Sequence, residues 1–135
     1  MTGVSNFWSP VDEFMENHGM GLESGIDMQA LERLRILGGN ELVSKMVQLF
    51  ITHAESSMRE AEICLAAGNL KRVQHAAHSL KSSAGNLGAQ HVQDLAGQIE
   101  LLSENKTGEL QPLLAELEQA YLRAKGRLTE EIREV

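Results

Sequence analysis

The chain of 135 residues has little of several residue types, and each shortage excludes a class of protein. Its single cysteine, Cys64, cannot form an internal disulfide, and a lone thiol in a helical pattern suits a core position in a reducing compartment. With 2 prolines, 4% aromatic residues and few alternating β-branched stretches, the sequence predicts no sheet. No apolar run approaches the ~20 residues that span a bilayer, and no signal peptide is recognisable. We therefore expect a cytoplasmic protein without membrane insertion.

Positive charge is also scarce, since 12 basic residues stand against 19 acidic ones for a net charge of −7. No basic cluster is interleaved with aromatic residues, which argues against nucleic acid or an anionic membrane surface as the main partner. The glycine-rich loops that bind nucleotide phosphates are missing, and no acidic cluster is arranged to hold magnesium. We therefore expect no ATP site, no cofactor and no metal of the chain's own.

The abundant residues favour α-helices, because Leu, Ala, Glu, Gln and Met lead the composition. Apolar residues recur every three or four positions, and turns rich in glycine or asparagine separate the segments. This pattern predicts five helices, at about 27–37, 41–67, 70–87, 90–104 and 109–130.

Short turns between long amphipathic helices imply antiparallel neighbours. We expect an all-α fold, an antiparallel up-down four-helix bundle with one or two short N-terminal helices covering an end. In the helix at 27–37, Leu31, Leu34, Ile36 and Leu37 are predicted to face the core. The last helix is predicted to project past the bundle, because residues 129–135 are mostly charged.

Two regions are expected along the chain. Residues 1–24 are either a linker or a short helix, for which Ser9-Pro10 followed by acidic residues is a suitable start. Residues 25–135 are expected to form a single helical domain.

The helix at 70–87 carries an unusual exposed face. At about 100° per residue, its apolar residues form one stripe, and His78, Lys81, Ser82 and Gly85 lie on the opposite side. An imidazole is thus exposed in the middle of a helix, with a cation one turn away and small side chains beyond it. A nucleophile that must reach the reacting atom of a second protein needs this arrangement.

The segment His78-Ser79-Leu80-Lys81-Ser82-Ser83 resembles the core motif His-x-Leu-Lys-Gly-Ser of histidine-containing phosphotransfer (HPt) domains from multistep phosphorelays. Asn86-Leu87-Gly88-Ala89 follows at the spacing of that family. One departure is Ser82, where the family usually has glycine. The helix pattern from about Gly25 to the C-terminus also fits the bundle of the family.

The resemblance implies a phosphoryl carrier rather than an enzyme. His78 would accept a phosphoryl group from the aspartate of a response-regulator receiver domain, such as that of a hybrid sensor kinase, and pass it to another receiver aspartate. Lys81 would offset the charge of the phosphate, and magnesium is expected on the partner receiver. The residues expected to form the rim of the docking surface are Lys71, Gln74, His75, Ser82 and Gly85.

One alternative stays open, a helical-bundle interaction module that docks a receiver or kinase partner without chemistry. A metal-binding bundle is rejected, because no histidine follows an acidic residue by three positions. His75 and His78 alone are a weak metal signal. The partner of the second ring nitrogen of His78 cannot be identified from the sequence, although Glu100 lies where related domains often carry a polar residue.

Overall fold

The computed structural model describes residues 25–133. Within these residues four helices follow one another, and each packs against the next, with the last returning to the first. The antiparallel up-down bundle predicted from the sequence is confirmed. The helices are α1 (Met28–Ala66), α2 (Leu70–Asn86), α3 (Gln90–Asn105) and α4 (Leu110–Arg133).

The predicted apolar stripe of α2 lies in the core of the bundle. Its five residues are at most 3% exposed, and they are Val73, Ala77, Leu80, Ala84 and Leu87. Burying a leucine side chain contributes roughly 1.5–3 kcal/mol, so this stripe fixes the rotation of α2 about its own axis. The opposite face of α2, which carries His78, is thereby turned outward.

The two helices predicted at 27–37 and 41–67 are confirmed as two helical segments of α1, which meet at a kink where Gly39 has the non-helical angles φ 73° and ψ −171°. Before the bend, Leu31 is fully buried, whereas Ile36 and Leu37 are 77% and 78% exposed. The prediction that Ile36 and Leu37 face the core was therefore wrong. At 100° per residue they lie about 140° and 120° around the helix from Leu31, on the solvent side.

The start of α1 is fastened to the turn between α2 and α3. Asp27 N–H donates to the carbonyl of Gly88 at 2.8 Å, and Gln90 N–H donates to the carbonyl of Gly25 at 2.8 Å. Gly88 has φ +74°, and a Cβ atom there would lie 2.8 Å from the carbonyl oxygen of Asp27. The turn therefore needs glycine both for its backbone conformation and for this close approach.

The end of α4 packs against α1 instead of projecting past the bundle. Arg35 Nη2 donates to Glu131 Oε1 at 2.7 Å, and Arg127 pairs with the other oxygen of Glu131 at 3.0 Å. Ile132 packs against the core cluster. The prediction of a projecting helix was wrong for this stretch, because the charged residues neutralise one another across the two helices.

The linker or short helix predicted over residues 1–24 lies outside the described residues. Among the helices that are described, none is both long enough and apolar enough to cross a bilayer.

Candidate functional site

His78 lies in the middle of α2 with 64% of its side chain exposed. Its neighbours on the inner side, Ala77 and Leu80, are buried. The backbone that carries the imidazole is thus held by the core, while the ring itself is open to solvent. A side chain that reacts with another macromolecule needs a rigid backbone and an accessible reacting group, and His78 has both.

Glu100 of α3 holds one nitrogen of this ring. Nδ1 of His78 and Oε2 of Glu100 are 2.7 Å apart. The carboxylate accepts a hydrogen bond, so this contact selects the tautomer with the proton on Nδ1. Within the described residues, Nε2 has no hydrogen-bond partner. The lone pair of the neutral ring is therefore on the nitrogen that is open to solvent.

Lys81 completes the group by binding the second oxygen of the same carboxylate. Its Nζ lies 2.7 Å from Glu100 Oε1, and the Glu100 side chain is 18% exposed. The hydrogen bond from Lys81, with a smaller contribution from His78, holds the pKa of the Glu100 carboxyl below its ordinary value, although burial opposes the shift. Glu100 is therefore ionised at neutral pH, and with a neutral imidazole the three side chains carry no net charge.

The residues predicted to form the docking rim surround His78 on the same face of α2, within about 60° of it around the helix. The exposed ones are Lys71, His75 and Ser82, and the half-buried ones are Gln74 and Gly85. A Cβ atom at Gly85 would lie 2.8 Å from Gln93 Nε2 of α3. The missing side chain of Gly85 thus makes room for Gln93, and the docking role of these five residues stays a prediction.

A largely apolar groove of about 360 Å³ runs between α1 and α2 beside His78. His53 Nε2 is hydrogen-bonded to the hydroxyl of Ser79 at 2.8 Å on its wall, and Leu49 is 58% exposed. The groove is lined by Met46, Leu49, Phe50, His53, Ser79, Ser82, Ser83, Asn86 and Leu87. The sequence indicated only the contribution of α2, because the register between two helices cannot be read from either one alone.

Metal-ligating side chains do not converge here. Over the part of the chain that the structure describes, no group of three His, Cys, Asp or Glu side chains is placed to hold a metal ion. His75 is exposed one turn from His78, and the carboxylate near them already binds Lys81.

The helical bundle thus presents a solvent-exposed histidine whose Nδ1 is held by a carboxylate. The model of the Hpt domain family matches residues 45–135. The chain belongs to the Hpt domain family. The resemblance seen in the sequence is thereby confirmed.

The chain is also similar to two individual proteins. The chain is 31% identical over 78 residues to the sensor protein TorS of Escherichia coli K12, a match that takes in 58% of this chain and 8% of TorS. The chain thus spans a small part of that relative. Its fold is similar to that of histidine-containing phosphotransfer protein B from Pseudomonas aeruginosa PAO1. That similarity has a TM-score of 0.75 and 23% identity, and it covers 82% of this chain and 96% of the other.

Proposed function

We propose that Nε2 of His78 attacks the phosphorus of an aspartyl phosphate on a receiver domain. The N–P bond forms as the bond from phosphorus to the aspartate oxygen breaks, and the aspartate leaves as a carboxylate with the electron pair. The reverse reaction delivers the phosphoryl group to a second receiver. The observation that carries this proposal is the 2.7 Å contact of Glu100 with Nδ1, which leaves Nε2 of an exposed ring as the nucleophile.

The three side chains of the site suit the charges that this reaction creates. A neutral ring that keeps its proton on Nδ1 becomes cationic when Nε2 bonds to phosphorus, and Glu100 lies against that proton. The phosphoryl oxygens bring negative charge, and Lys81 is one turn away on the same face of α2. The site therefore offsets each new charge with a group already in place, which is how proteins stabilise phosphoryl transfer.

The work is divided between two molecules in this account. The chain supplies the nucleophile and charge compensation, and the receiver supplies the activated phosphoryl group together with the magnesium ion. We therefore assign the chain as a carrier that turns over no ATP and acts in the cytoplasm. Receiver domains, including those of hybrid sensor kinases, are the proposed partners.

The test is incubation of the chain with receiver domains that carry a radiolabelled aspartyl phosphate. The proposal expects label on the chain that is lost in acid and retained in base, as a phosphohistidine is, and that can be chased onto a second receiver. Receiver binding without any label on the chain would instead support the interaction module.

The groove between α1 and α2 is the surface that we propose for receiver docking. It is largely apolar, it lies beside His78, and its wall includes Ser82 of the predicted rim. Interface centres are depleted of charge and rich in such apolar side chains. Docking there would place the acidic pocket of the receiver over the imidazole and beside Lys81.

Leu49→Glu is therefore expected to weaken receiver binding at least about tenfold, because it removes an apolar contact worth roughly 1.5–3 kcal/mol. The matched control is Leu122→Glu, since Leu122 is 51% exposed but lies on α4. Titration calorimetry with an unphosphorylated receiver measures the affinity of both variants. Equal weakening by the two variants, or none by Leu49→Glu, would contradict docking at the groove.

Glu100→Gln is expected to slow phosphoryl transfer about tenfold at saturating receiver, since a charge-assisted hydrogen bond becomes a neutral one. The amide still accepts a hydrogen bond from Nδ1, so the rotamer of His78 is retained. Single-turnover transfer with labelled receiver measures the effect.

A second readout of the same variant is stability in acid. Because the pKa of Glu100 is lowered in the folded chain, its ionised form stabilises the fold at pH values above the ordinary pKa of 4.5. This contribution is lost as the pH falls through the folded pKa. The wild type should therefore lose more stability below this pH than Glu100→Gln. If the wild type and Glu100→Gln lose the same stability in acid and transfer at the same rate, Glu100 does not belong to the site.

A further inference from the structure

Two long side chains cross the seam between α2 and α3, and each crosses over a glycine of the other helix. Gln93 of α3 lies over Gly85 of α2, and Lys81 of α2 lies over Gly97 of α3. A Cβ atom added at Gly97 would lie 3.4 Å from Cδ of Lys81. The aliphatic stem of Lys81 thus passes Gly97 at a distance that leaves room for one methyl group.

Gly97 is not required by the backbone. It lies inside α3, and its φ is not among the positive values that favour glycine. Glycine in a helix interior is less favourable than almost any other residue. The Lys81 stem lies next to this position, so a side chain larger than one methyl group would meet it.

We propose that Gly97 is a positioning residue for the phosphotransfer site, because a side chain no larger than a methyl group at this position lets Lys81 lie across α3 with its ammonium group on Glu100 beside His78. The inference rests on the proposed function, because phosphoryl transfer at His78 is the reaction that Gly97 would support. Gly97 lies one turn before Glu100 on the same side of α3, so the path of Lys81 to Oε1 passes over it.

A larger side chain at this position would close that path. The two γ-carbons of a valine would occupy the volume where the Lys81 stem lies, and the stem would turn outward into solvent. Nζ would then lose the 2.7 Å contact with Glu100 Oε1 and move away from the phosphoryl group on Nε2. The His78 contact with Oε2 does not pass over Gly97 and would be retained.

The test begins with Gly97→Val, which is expected to slow phosphoryl transfer about tenfold while the bundle stays folded, since valine suits a helix better than glycine. Gly97→Ala is expected to change transfer less than twofold, because 3.4 Å is an ordinary carbon–carbon contact. The matched control is Gly126→Val on α4, where an added Cβ meets nothing within 4 Å. That variant should transfer like the wild type.

A double-mutant cycle with Lys81→Ala identifies the route of the effect. If Gly97 acts through Lys81, Gly97→Val causes no further slowing once Lys81 is alanine. If the two losses multiply, the valine obstructs the receiver instead, and the proposal is overturned.

The pKa of the Glu100 carboxyl, followed by carbon-13 NMR, gives a readout that needs no receiver. In Gly97→Val this pKa should rise toward its ordinary value, as it should in Lys81→Ala, because the hydrogen bond from Lys81 is the largest cause of its lowering. An unchanged titration would overturn the role of Gly97 whether or not the chain transfers phosphoryl groups. Failure of the wild type to accept label, with the titration shifted as expected, would overturn the proposed function alone.

Discussion

His78→Gln is expected to abolish phosphoryl transfer and leave the fold intact. An amide nitrogen has no lone pair available to attack phosphorus, so the loss should exceed 10³-fold, roughly 4 kcal/mol of activation free energy. Because 64% of the His78 side chain is exposed, little packing is lost. The assay is transfer of label from a phosphorylated receiver, with thermal unfolding followed in parallel by circular dichroism.

The chain contains its own control for this experiment, His75→Gln. His75 is exposed on the same face one turn before His78, but among residues 25–133 no carboxylate contacts its ring as Glu100 contacts that of His78. Transfer by this variant should stay within about threefold of the wild type, since His75 is assigned to the rim. Retained transfer in His78→Gln, or its loss in His75→Gln alone, would place the phosphoacceptor elsewhere.

The second large effect is expected on stability, from Gly88→Ala. An alanine with φ +74° costs about 1–2 kcal/mol, and its Cβ would lie 2.8 Å from the backbone oxygen of Asp27 and from Cβ of Ala30. Relieving these contacts separates the start of α1 from the turn between α2 and α3. We expect a total loss of about 3 kcal/mol or more in the free energy of unfolding, measured by urea denaturation.

Gly68→Ala separates the cost of the backbone conformation from the cost of the close contact. Gly68 has φ +77°, but a Cβ atom there would meet nothing within 4 Å. Its substitution should therefore cost only the conformational part, about 1–2 kcal/mol. If both variants lose the same free energy, the close approach at Gly88 contributes nothing, and the fastening of α1 to that turn is not important for stability.

Much of the fold could be predicted because each helix carries its own signal. The spacing of Val73, Ala77, Leu80, Ala84 and Leu87 indicates which side of α2 is buried, and it therefore also indicates which side presents His78. Helix periodicity is local information, and the core of this bundle follows it. Ile36 and Leu37 show the limit, since both are hydrophobic but lie on the solvent side of the helix.

The contacts between helices could not be predicted in the same way. The hydrogen bond of Glu100 with His78 joins residues on two helices, and it depends on the register and rotation of α3 against α2. The positions of Gly97 beneath Lys81 and of Leu49 in the groove depend on the same quantities. Motif resemblance indicated His78 and Lys81, and it indicated Glu100 only as a position where related domains often carry a polar residue. The contact of Glu100 with the ring is visible only in three dimensions.

The most direct test of the central claim is a nitrogen-15 NMR measurement on the imidazole rings of the chain before and after phosphorylation by a receiver. We predict that Nδ1 of His78 carries the proton in the free chain and that the phosphoryl group appears on Nε2 of the same ring. A phosphoryl group on Nδ1, or on any other residue, would contradict the account, because Glu100 is proposed to occupy Nδ1 and leave Nε2 to react.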